Sequence, residues 1–85
     1  SMETKYIVTQ TNLSNSYVLG VYVDSTGSIY MVDVDKSFRF NNIETANEIK
    51  GTLEKVSIAI NKDYNYKILK ETREDVQDES TTSIE

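Results

Sequence analysis

Apolar and polar positions follow two different rhythms along this chain. Residues 5–11 (KYIVTQT) are rich in β-branched and aromatic residues and predict a strand. A turn cluster, Asn12-Leu13-Ser14-Asn15, follows. Residues 16–24 (SYVLGVYVD) predict a second strand, and Ser25-Thr26-Gly27-Ser28 a hairpin loop with Gly27 suited to a left-handed position. Residues 29–35 (IYMVDVD) predict the return strand, so the first half reads as an antiparallel meander. Past Phe38-Arg39-Phe40, which either extends the third strand or leads into the next element, the spacing changes. Ile43, Ala46, Ile49, Leu53, Val56 and Ile60 fall three and four apart, widened by Ala59, and predict a helix over 43–60 with Asn41 or Asn42 as N-cap. Gly51 is its weak point. Residues 64–70 (YNYKILK) return to strand character, with Tyr64, Tyr66 and Ile68 on one face.

The expectation is an α+β fold of order β-β-β-α-β: a three-stranded meander, one amphipathic helix on it, and a final strand at an edge or between strands. Residues 1–70 form the single expected domain. Residues 71–85 show no apolar period and predict a disordered acidic tail, although residues 71–76 can also continue the strand or form a helical turn.

The second and third strands are apolar on both sides, whereas a sheet covered by one helix needs one apolar face. The surplus face is expected to carry Val18, Tyr22, Tyr30, Val32 and Val34. Apolar surface of this kind marks an interface, most simply with a second copy of the chain. An edge strand is the other route to self-pairing.

Composition narrows the chemistry. The chain has 85 residues, no cysteine and no histidine. Disulfides, thiolate nucleophiles and Cys- or His-based metal sites are therefore excluded, and so is the usual general base near neutral pH. A domain this small without such staples gains from oligomerisation, so a homo-oligomer is expected. No apolar run approaches the ~20 residues of a membrane span, and no secretory leader pattern opens the chain, which predicts a cytoplasmic protein without membrane contact. Ser1 ahead of Met2 reads as an expression scar, and Asn12-Leu13-Ser14 as a chance match to a glycosylation acceptor.

Charge is unevenly placed. The acids Glu71, Glu74, Asp75, Asp78, Glu79 and Glu85 against Arg73 account for the whole formal charge of −5, leaving residues 1–70 neutral. A neutral body without a basic stripe argues against nucleic acid as partner. The acidic end is either a solubilising extension or a segment that docks on a basic surface.

Candidate chemistry is sparse. Asp33 and Asp35, two apart on an expected strand, can bind a hard cation, do acid–base work or simply discourage edge pairing; the last reading is preferred, and no metal or cofactor is expected. Residues 25–28 precede a strand rather than a helix, so they are a turn and not a phosphate loop. Lys36 and Arg39 beside Phe38 and Phe40 form the one local basic–aromatic cluster. With Tyr64 and Tyr66, Lys36 and Arg39 are the residues assigned to holding a small anionic ligand.

The run from Phe38 to Ile49 (FRFNNIETANEI), a strand-like aromatic end followed by an N-cap and an alanine-containing helix start, resembles the layout of small bacteriophage accessory proteins. In size, acidity and lack of catalytic motifs the chain is similar to phage inhibitors of host defence. The resemblance covers residues 5–70 in layout and transfers no functional residue. It implies non-enzymatic binding of a host protein; the alternative is an oligomeric sponge that sequesters a small nucleotide-type anion between protomers.

Overall fold

β1 (Met2–Asn12), β2 (Tyr17–Val23), β3 (Ile29–Val32), a 3-10 turn (Val34–Lys36), α1 (Ile43–Ala59) and β4 (Tyr64–Glu74) follow one another in the computed structural model, which describes residues 1–77. The fold is α+β: an antiparallel four-stranded sheet of order β3-β2-β1-β4 with one helix. No helix among the described residues is long and apolar enough to cross a membrane.

The last strand settles on the outer side of β1. β1 and β4 pair without a bulge from Met2↔Glu74 to Asn12↔Tyr64. This ladder corrects two boundaries. β1 begins at Met2 instead of Lys5, and β4 runs through Glu74 instead of ending at Lys70. The segments Met2–Lys5 and Glu71–Glu74 lack an apolar period, but each supplies the backbone partners of the other, and a ladder needs only donors and acceptors. The disordered tail expected from residue 71 is thus corrected for residues 71–74; residues 78–85 lie outside the described part.

Side chains alternate about the sheet. Tyr6, Val8 and Gln10 share a face with Leu19, Val21 and Val23, with Met31, and with Tyr64, Tyr66 and Ile68. The helix covers this face. Val8, Val21, Phe40, Ala46, Leu53 and Tyr66 form the core, with Phe38 and Ile49 packed against it. Asn42 caps α1: its Oδ1 accepts from the Thr45 backbone N–H at 2.9 Å and from the Thr45 hydroxyl at 2.8 Å. The buried helix positions are Ala46, Leu53 and Ser57. Val56 and Ile60 of the expected stripe are instead exposed. The stripe is rotated toward Ser57, whose hydroxyl is satisfied by the Glu54 carbonyl at 2.8 Å.

The third strand is shorter than expected. It stops at Val32, and Val34 leaves the sheet in the 3-10 turn. β1 and β2 part company beyond Thr9↔Gly20. Residues 38–40 occupy the gap: the Phe38 N–H donates to the Val21 carbonyl at 3.0 Å, and Phe40 bridges Tyr6 in both directions at 2.9 and 2.8 Å. To reach that gap the turn crosses Gly20. A Cβ there would stand 1.8 Å from Ser37 Oγ and 3.2 Å from Val34 Cα, so the crossing requires glycine.

Candidate functional site

Two concavities flank the inserted residues 38–40. The first, about 510 Å³, is lined by Tyr22, Val23, Asp24, Phe38, Phe40 and Ile49, together with Ser25 and Thr45. It exists because Phe38 and Phe40 alternate to the core side while β2 ends beside them. Phe38 meets Phe40 edge-on at 4.7 Å between ring centroids and Tyr22 edge-on at 5.8 Å. Ile49 closes the helix side, only half-buried.

Asp24 stands on the rim of this groove. Its Oδ1 accepts from the Thr26 hydroxyl at 2.7 Å and from the Thr26 and Ser28 backbone N–H groups at 2.9 and 3.0 Å. Its Oδ2 accepts from the Tyr30 hydroxyl at 2.8 Å. The Thr26 and Tyr30 hydroxyls, followed by the Ser28 backbone, lower its pKa to about 2, against a small opposing effect of burial. The rim is therefore held anionic. Gly27, at φ +86°, closes the same turn.

The second concavity, about 410 Å³, is polar and lies where β1 and β4 extend past the helix-covered region; Glu3, Lys5, Arg39, Glu71, Thr72 and Arg73 line it. Arg39 grips Glu71 with Nε at 2.8 Å and Nη2 at 3.3 Å. Its Nη1 donates to the carbonyls of Asp35 and Ser37 at 3.2 and 3.0 Å. Lys5 Nζ lies 3.7 Å from Glu3 and donates to Asn41 Oδ1. Of the three cations, only Arg73 has no ion pair among the described residues.

The residues assigned to a small anion do not converge within one chain. Arg39 touches Glu71, while Tyr64 lies seven positions along β4, about 23 Å away at ~3.3 Å per residue, and faces the other side of the sheet. Tyr66 is buried and donates its hydroxyl to Gln10 Oε1 at 2.7 Å. Burial, with Tyr64 and Glu54 nearby, raises its pKa, so it stays a donor. Lys36 is exposed at the end of the 3-10 turn. Arg39 is a structural tie between turn and β4, committed through all three guanidinium nitrogens.

The assigned interface set is also divided. Val18, Tyr22 and Tyr30 are 42%, 38% and 49% exposed, and Tyr22 pairs with Tyr30. Val32 and Val34 are half-buried. The turn lying on Gly20 separates Val18 from the Tyr22–Tyr30 pair, so one continuous apolar face becomes two patches. Asp33 and Asp35 do not share a strand face: Asp33 precedes the 3-10 turn and Asp35 lies within it. Among the described residues no cluster of three acidic, histidine or cysteine side chains stands ready for a metal.

The aromatic groove escapes a reading by strands and helix alone. Its one signal in sequence is Phe38 and Phe40 spaced two apart immediately before the helix cap. Comparison with protein families, curated proteins and solved structures finds no match.

Proposed function

We propose that the protein works by docking on a partner protein, with the groove between Tyr22, Phe38, Phe40 and Ile49 as the receiving surface and Tyr30 beside it. The observation that carries this reading is the gathering of the partly exposed Tyr22 and Phe38 rings, with the buried Phe40 behind them, around an apolar concavity; aromatic side chains are prominent among the anchors of protein interfaces. The occupant is a segment presenting an apolar anchor next to a lysine or arginine, because the Asp24 carboxylate on the rim stays ionised. A host-defence protein inhibited by such docking is the form of this proposal that the resemblance to phage accessory proteins suggests.

The sponge reading is weaker on the same geometry. The polar groove that would hold a small anion already contains Glu3 and Glu71, which neutralise Lys5 and Arg39. Bacterial lysate passed over immobilised protein tests the choice. A partner retained by the wild-type chain and by Arg73→Ala, but lost by Ile49→Asp, supports docking at the groove. Retention by Ile49→Asp that is lost in Arg73→Ala overturns it in favour of the polar groove.

A further inference from the structure

β4 is an edge strand of unusual openness. It runs 11 residues, pairs on one side with β1 along its whole length, and has no partner on the other among the described residues. Exposed edges of this length are normally blunted by proline, a bulge or a cover. The chain has no proline, and the β1–β4 register is continuous. Charged side chains alone guard the edge: Lys67, Lys70, Glu71, Arg73 and Glu74.

We propose that β4 pairs antiparallel with β4 of a second copy, centred on Leu69, to make one continuous eight-stranded sheet across a two-fold axis. The register follows from symmetry and charge. A two-fold axis normal to the sheet keeps each residue on its own face, so residues facing each other across it have numbers whose sum is even. Centring on Leu69 uses the strand from Tyr64 to Glu74 in full. It places Lys67 of each copy opposite Glu71 of the other, Asn65 opposite Arg73, and the exposed Leu69 opposite its own copy. No like charges stand opposite each other. Sliding the axis to Lys70 sets Lys70 against itself and Lys67 against Arg73. Sliding it to Ile68 leaves no opposite-charge pair within the strand, and sliding it to Glu71 sets that carboxylate against itself. Opposite charges across a strand pair are favourable and like charges unfavourable, so the Leu69 register is selected over its neighbours.

α1 packs on β1 as well as on β4, so it reaches inward from the free edge. The aromatic groove lies at the β2 end, across β1 from this edge, and stays open in both copies. The dimer thus presents two docking grooves and does not depend on the docking proposal.

The chain has no cysteine, so single cysteines report the register directly. Opposite residues in an antiparallel pair have Cα atoms ~4.5–5.5 Å apart, within disulfide range. Under mild oxidation, Leu69→Cys is expected to form a disulfide-linked dimer, while Thr72→Cys, ~20 Å from its counterpart in this register, stays monomeric. Sedimentation of cysteine-free protein is expected to show a dimer whose self-association Lys67→Glu weakens about tenfold. A monomer at all concentrations overturns the proposal. So does cross-linking of Thr72→Cys in preference to Leu69→Cys, which would place the axis at Thr72.

Discussion

Replacing Gly20 with alanine tests the crossing that divides the back of the sheet and forms the groove. The new Cβ would stand 1.8 Å from Ser37 Oγ, 3.0 Å from Ser37 Cβ and 3.2 Å from Val34 Cα. The Ser37 hydroxyl can rotate away, but it then loses its 2.7 Å bond to the Val34 carbonyl. That loss costs about 1 kcal/mol. The remaining close contacts are with Ser37 Cβ and the Val34 backbone, and overpacking of this kind costs ~1–3 kcal/mol. Alanine regains ~0.5–1 kcal/mol over glycine within a strand. The net destabilisation is about 2 kcal/mol, a melting temperature lower by about 10 °C for a domain of this size. Thermal unfolding followed by circular dichroism measures it. Gly51→Ala is the control, since a Cβ there meets nothing within 4 Å; it should raise stability by about 1 kcal/mol. Ser37→Gly removes the two nearest atoms, so alanine at position 20 should cost less in that background. A Gly20→Ala protein that melts at or above the wild type would refute the crossing.

Tyr66→Phe leaves the buried Gln10 without its donor, and urea unfolding should show a loss of ~1–3 kcal/mol. Asp24 has a folded pKa of about 2, below its ordinary value. Its contribution is complete above the ordinary carboxylate range and disappears as pH falls through the folded value. Acid titration should therefore destabilise the wild type more steeply than Asp24→Asn over that window. A chain ended after Lys70 loses the Glu71–Glu74 pairs of the β1–β4 ladder and the Arg39 partner, and should melt below a chain ended after Gln77.

The strands, the antiparallel meander of the first three and the helix were legible because their apolar positions repeat with the period of the element; the place of the last strand beside β1 was not. The ends were not. Residues 71–74 (ETRE) carry no apolar signal, and they join the sheet only because Met2–Lys5 offer a facing backbone. Val34 continued the alternation of the third strand, yet a close approach to Gly20 bent it away, and a glycine does not announce in sequence what will cross it. Val56 and Ile60 continue the apolar helical spacing, yet the sheet's position buries the polar Ser57 instead. The grouping of Lys36, Arg39, Tyr64 and Tyr66 does not come together within one chain, for a similar reason. Their chemistry was compatible, but β4 spaces Tyr64 and the Arg39 contact far apart and on opposite faces.

Docking at the aromatic groove is most directly tested by amide hydrogen exchange on the protein bound to its captured partner. Protection should rise at residues 22–25, 38–40 and 45–49, and stay unchanged at residues 3–5 and 71–73. Protection that rises at residues 3–5 and 71–73 while the groove residues exchange as in the free protein would contradict it.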